Sequence, residues 1–254
     1  MTTVVIMQPT YMPWIGYLDL IDRADVFVLL DDVGYSHQSW QQRNRIKTSN
    51  GLAWLTVPVH HSGKSGQHLN EVMIANPRFW HKHLNSIASN YARAPHFAYH
   101  IGALKRLFQD TVPPSHLAAL NISIIKEFAA WGGISTQFTR SSKLSIIGSR
   151  TERLISICRS LQAHTYLSPI GAFNYLAGDG GQFEKAGLKL RFQNYEHPSY
   201  TQCFPPFLPY ASAIDLFLNE GNSAADIIRK GRGEDLSIEA AAKLLDDDIA
   251  RKVS

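Results

Sequence analysis

The sequence predicts an α/β protein with a mostly parallel central sheet that starts with a βαβ unit. It adds an antiparallel hairpin near 43–59 and a helical middle segment. Three observations carry this reading. The runs TVVIMQ at 3–8 and VFVLL at 26–30 lack polar alternation, as strands buried on both faces do. Between them Ile15, Leu18, Leu20 and Ile21 form an apolar helical stripe that begins near Trp14. Asn50-Gly51 then separates two β-compatible runs, the signature of a type I′ hairpin turn.

Further along, the loop HHSGKSGQ precedes a helix that Asn76-Pro77 opens and that runs to about Tyr91. A second helix covers roughly 96–109, and a third restarts at Pro113-Pro114-Ser115 and runs to Trp131, where Gly132-Gly133 ends it. A short strand near 136–140, a helix at 151–162 and a strand at 164–167 follow. The Gly-rich stretch 178–181 reads as a turn, 188–193 as a strand and 211–219 as a helix after a Pro-rich loop. The expected organisation is one α/β domain over 1–221 with a helical insertion at about 76–133, then a helical C-terminal appendage at 222–254.

Composition narrows the function classes. The chain of 254 residues can build a sizeable core, and its 18% charged residues argue against disorder. Its mean hydropathy is −0.16. No run approaches the roughly 18–20 apolar residues of a membrane span. Met1 leads directly into Val4-Val5-Ile6 without a basic leader, so a cytoplasmic protein is expected. Two cysteines, Cys158 and Cys203, make no disulfide framework. A net charge of +4 suits a small anionic substrate such as a nucleotide sugar, and is too small to indicate nucleic acid.

The first βα junction is the richest place for a ligand, because open α/β sheets bind beyond the carboxyl ends of their strands. It carries Gln8, Tyr11, Trp14 and Tyr17, with polar and aromatic groups suited to a base or sugar, but neither a G-x-G-x-x-G nor a P-loop. Asp31-Asp32 ends the second strand and can hold a metal, a ribose or an amine, or simply cap the next turn. The segment YSHQSWQQRNRIK offers Gln38 and two planar cations, Arg43 and Arg45, which share a strand face and suit a pyrophosphate; a solvated strand face is the bland alternative. Ser149, Arg150 and Arg153 at a helix start can bind an anion or form an ordinary cap.

No histidine cluster has metal-ligand spacing: His60-His61 are adjacent and His81 and His83 do not share a helix face. A zinc site is not expected. Among the histidines, His197 is the best acid or base, with Tyr200 and Gln202 beside it and Asp32 as a second catalytic candidate. No certain cofactor follows from these residues.

Three stretches together resemble the WbqC-like family: VVIMQPTYMPWIGYLDLIDRADVFVLLDDVGYSHQSWQQRNRIKTSNGLAWLTVPV, SRTERLISICRSLQAHTYLS and HPSYTQCFPPFLPYASAIDLFLNEG. QPTYMPWIGY and LLDD are the specific parts. The loop after Ser168 departs from the pattern, reading PIGAFNYL where a glycine is expected sooner. The resemblance implies bacterial surface-polysaccharide (O-antigen, lipopolysaccharide) biosynthesis, with N-acyl or aminoacyl, for example glycyl, transfer to the amine of a dTDP- or UDP-linked amino deoxysugar. It leaves the acyl donor open, a charged tRNA included. The candidate residues above are read from this chain and are not carried over from the family. Two other functions stay open: adenylylation of the nucleotidylyltransferase type, with Trp14 and Tyr17 where that class has histidines, and non-catalytic binding of a nucleotide sugar.

Overall fold

The computed structural model describes residues 1–60, 63, 66–111 and 116–253. His61, part of the 60–67 loop and the Pro113-Pro114-Ser115 helix start lie outside the described residues.

Five strands form a parallel sheet: β1 (Thr3–Met7), β2 (Val26–Leu29), β5 (Gln137–Arg140), β6 (Thr165–Ser168) and β7 (Lys189–Phe192). Their spatial order is β5-β2-β1-β6-β7. Each pair is parallel, with Val5 beside Phe27 on one flank and Leu167 on the other. The hairpin β3 (Arg43–Thr48) and β4 (Gly51–Thr56) forms a separate two-stranded sheet. The α/β class and the opening βαβ unit are as the apolar runs predict.

The strands are apolar throughout because both faces are covered. Val5, Phe27, Leu29 and Leu167 face one core, built with α1 (Ile15–Arg23), α4 (Leu117–Trp131), α8 (Ala213–Glu220) and α9 (Ala224–Lys230). Val4, Ile6, Val28 and Tyr166 face the other, built with α5 (Arg150–Ser160), α7 (Gly180–Lys185) and Ala241 of α10 (Ile238–Val253). The period of two thus survives as a division between two cores. The helical middle segment comprises α2 (Phe79–Tyr91), α3 (Phe97–Thr111) and α4.

Two local expectations are corrected. The hairpin turn is not type I′: Ser49 and Asn50 keep negative φ, and Gly51 alone is positive at 107°. Thr48 Oγ1 accepts from Asn50 N–H and donates to Gly51 O, so a side chain closes the turn. The 178–181 stretch is helical, running into α7, with the one-turn helix α6 (Phe173–Leu176) before it. Its glycine serves close packing: a Cβ on Gly180 would lie 2.3 Å from Ile238 of α10.

Beyond 222, α9 lies on α1, where Arg229 pairs with Asp22, and Arg232 with both Asp19 and Asp22. Leu236 bridges to Phe192 of the edge strand β7. No helix among the described residues is long and apolar enough to cross a membrane.

Candidate functional site

Numbered by their order along the chain, the five parallel strands lie 3-2-1-4-5. The chain runs from β1 outward to β2 and β5, then crosses back to β6 on the other flank of β1, so a crevice opens past the carboxyl ends of β1 and β6. Two cavities fill it. An inner chamber of about 340 Å³ lies between β1 and β6, with Ile6, Tyr166 and Leu176 on its walls and Gln8, Ser168 and Tyr175 as polar groups. An outer chamber of about 280 Å³ is lined by Trp14, Tyr17, Asn44, Arg45 and Tyr210. Met7, Thr10 and Trp40 line both, so the two chambers meet at that seam.

The loop after β1 is held by buried amides. Asn121 of α4 donates to the carbonyls of Pro9 and Gln41, at 3.0 and 2.7 Å. Asn44 of β3 donates to Met12 O at 2.8 Å and to Tyr11 O at 3.2 Å. These bonds knit the loop to the hairpin and fix Met12 at a φ of 44°. Tyr210, at a φ of 63°, is a second left-handed residue at the cleft. Such conformations persist only where the surroundings over-determine them. Gly16 lets the Trp14 ring fold over α1, since a Cβ there would lie 2.2 Å from the indole.

Arg43 and Arg45 share one face of β3, as the spacing predicts. The Arg43 guanidinium lies 4.3 Å from the Trp54 ring, and that of Arg45 lies 5.5 Å from both Trp40 and Trp54. Trp40 and Trp54 are each about half exposed and stack at 5.4 Å. Among the described residues neither arginine has a carboxylate partner, and the Nε of each is buried without a hydrogen bond. This is a pair of uncommitted cations on an aromatic platform at the cleft mouth.

His197 stands behind the wall of the outer chamber. Its ring is parallel to Trp14 at 6.0 Å and lies 5.2 Å from Tyr210, and both of those residues line the cleft. Nδ1–H donates to Pro198 O at 2.9 Å, which leaves Nε2 with a free lone pair, buried and without a partner. Burial lowers its pKa below the usual 6.5, against a smaller opposing effect of the Pro198 carbonyl. The imidazole is therefore neutral at pH 7.

Gln8, Trp14, Tyr17 and Arg45 thus meet in one cleft, with Arg43 beside Arg45 and His197 behind Trp14. The other candidate residues do not line it. Tyr11 is fully buried with its hydroxyl on His83 Nδ1 at 2.8 Å, so it is a core residue. Asp31 is buried and fully engaged: it accepts from Arg140, Ser142 N–H and the Ser142 hydroxyl. Asp32 accepts from the Ser141 hydroxyl and pairs with Arg153 at 2.6 Å. That bond also occupies Arg153, while Ser149 and Arg150 are exposed and Ser149 makes no capping bond. Gln38 is exposed at a φ of 56°, its N–H donating to Gln42 Oε1. The Tyr200 hydroxyl and the Gln202 amide both donate to Asp215 Oδ2 at 2.8 Å.

Several residues of the cleft escape the sequence reading, among them Trp40, Gln41, Asn44, Tyr175 and Tyr210. Trp40 had a signal, as an aromatic inside the polar run before Arg43. Tyr210 had none, since its place depends on the β-bridge that joins Trp14 to Ser212.

Asp31 makes stability depend on pH. Burial raises its pKa, but the Ser142 N–H, Arg140 and the Ser142 hydroxyl outweigh that and hold it below 3.8. Its contribution is therefore present above the ordinary carboxylate range and lost as pH falls through the lowered value. In urea denaturation, Asp31→Asn is expected to be less stable than the unmutated chain at about pH 6, with the gap closing toward about pH 3. A gap independent of pH would show that charge is not what Asp31 contributes.

The architecture defines the class: an open, doubly covered parallel sheet with a cleft at the switch point between its first and fourth strands. The chain belongs to the WbqC-like protein family, whose model matches residues 8–227. It is similar to a protein of Mycobacterium tuberculosis (strain ATCC 25618 / H37Rv) named Uncharacterized protein Rv1507c. The two are 34% identical over 230 residues, which is 90% of this chain and 98% of that protein. No solved structure matches the chain.

Proposed function

We propose that this protein binds a nucleotide-linked amino sugar in the switch-point cleft and transfers an acyl or aminoacyl group to the sugar amine, within surface-polysaccharide biosynthesis. The observation that carries the reading is the pair Arg43 and Arg45, two cations with no acidic partner among the described residues, beside a cleft walled by Trp14, Trp40 and Tyr210. Planar guanidiniums suit a diphosphate, and aromatic faces suit a sugar or base. The amine must be neutral to attack. As the new C–N bond forms and the donor's leaving group departs, the amine's surplus proton goes to a base. His197 is our choice of base: its Nε2 is unprotonated and unpartnered behind Trp14, and displacement of the Trp14 ring on substrate binding would bring it within reach of the amine.

The test is binding of dTDP- and UDP-amino sugars, then mass spectrometry of the product with activated acyl donors, aminoacyl-tRNA included. Replacing both arginines by alanine is expected to weaken nucleotide-sugar binding at least about tenfold, since each charge-assisted bond contributes about 1.5–3 kcal/mol. Calorimetry measures that change. The melting temperature should move little, because neither arginine side chain makes a hydrogen bond or ion pair among the described residues and only cation–π contacts with the half-exposed Trp40 and Trp54 are lost. Unchanged affinity would remove the arginines from the site. A response to ATP alone would favour adenylylation.

A further inference from the structure

The geometry points to the inner chamber as the seat of the nucleotide's base, and to Gln8 as the residue that reads it; we propose that it selects a base with a carbonyl rather than an amino group at the pyrimidine C4 position, uracil or thymine over cytosine. This rests on the nucleotide-sugar reading above. Charge is segregated along the cleft. The inner chamber is lined by no charged side chain, whereas the outer one contains Arg45. A diphosphate held at the arginines would leave the uncharged heterocycle for the inner chamber, across the seam at Thr10 and Trp40. Exposed aromatics flank that path. Trp40 is 48% and Tyr175 50% exposed, against a core in which most rings are buried. A planar base stacks on such rings with little entropy to lose.

The hydrogen-bond chain fixes what Gln8 offers. Ser36 N–H donates to Gln41 Oε1 at 2.8 Å, so the Gln41 amide is oriented with its NH2 toward Gln8. Gln41 Nε2 then donates to Gln8 Oε1 at 2.7 Å. Gln8, exposed at the end of β1, is left to present its own NH2 to the chamber. This group donates to the C4 carbonyl of uracil or thymine, and equally to the C6 carbonyl of guanine. Cytosine and adenine place an amino group at the corresponding edge, which sets donor against donor. A site built to bond a substrate group rejects the analogue that cannot make the bond.

The experiment titrates the full-length chain with UDP, dTDP, CDP and ADP and follows tryptophan fluorescence. UDP and dTDP are expected to bind at least about tenfold more tightly than CDP and ADP. Gln8→Glu replaces donors by acceptors and should reverse the UDP-to-CDP preference. Gln8→Leu should bring the two within about threefold of each other, and the phosphate contacts are the same for both ligands. If all four bind alike, or if the two variants keep the original ranking, the base subsite is overturned while the nucleotide reading stands. If none binds, the nucleotide reading falls and this inference with it.

Discussion

Alanine at position 197 is expected to lower turnover by about 10² to 10⁴, the usual loss when a general base is removed. The affinity for the nucleotide sugar should change little, because His197 lies behind Trp14 and does not line the cleft. The pH profile separates this from a packing effect. Burial lowers the imidazole pKa below 6.5, so the base is neutral and active at neutral pH. If the proposed transfer holds, activity of the unmutated protein should fall as pH drops through a value under 6.5, and that acidic limb should vanish in His197→Ala. A variant that keeps the limb, or keeps near-normal turnover, would assign His197 to the aromatic packing around Trp14, Tyr200 and Tyr210.

The strands were legible because burial on both faces leaves no polar alternation to confuse the reading. The runs 3–8 and 26–30 fall on β1 and β2 to within a residue. The carboxyl edge of β1 was legible as the place for a cleft, since helix–strand topology alone puts clefts there. What the sequence could not show is which polar residues are already spent. Asp31 and Asp32 look like a free acidic pair, yet Arg140, Arg153 and Ser141 reach them from segments more than a hundred residues away along the chain. Tyr11 looks like a cleft aromatic, yet His83 of α2 takes its hydroxyl into the core. Arg43 and Arg45 have the same composition signal as any basic strand. Their worth comes from the lack of an acid nearby among the described residues, and a one-dimensional pattern does not encode that. The Gly-rich stretch at 178–181 misled for a similar reason, because contact with Ile238 of a distant helix set its conformation.

Asp215→Ala is expected to destabilise the fold by about 3–5 kcal/mol, because it leaves the buried donors of Tyr91, Tyr200 and Gln202 without their acceptor, at about 1–3 kcal/mol for each one left unsatisfied. That is a large share of the roughly 5–15 kcal/mol that keeps a domain folded. Asp215 is fully buried in the first turn of α8. Its Oδ1 accepts from the Tyr91 hydroxyl at 2.7 Å, and Oδ2 from Tyr200 and Gln202. Tyr91 in turn accepts from Lys47 N–H of β3, and the Lys47 side chain is itself buried. One carboxylate therefore joins α2, the hairpin, α8 and the loop that carries His197. Burial raises its pKa above 3.8, although Tyr91, Tyr200, Gln202 and Lys47 all act to lower it. The folded chain thus favours the protonated form, and the group's contribution declines as pH rises through the raised value. Asp215→Asn, neutral at every pH, should cost less than the alanine variant, and relative to the unmutated chain it should improve as pH is raised from about 4. Urea denaturation of both variants across that range measures these differences. If the asparagine variant folds normally but turns over more slowly with an unchanged KM, the network also positions His197 through Tyr200, whose ring lies 6.2 Å from the imidazole. An alanine variant as stable as the unmutated chain would show that these bonds contribute no net stability.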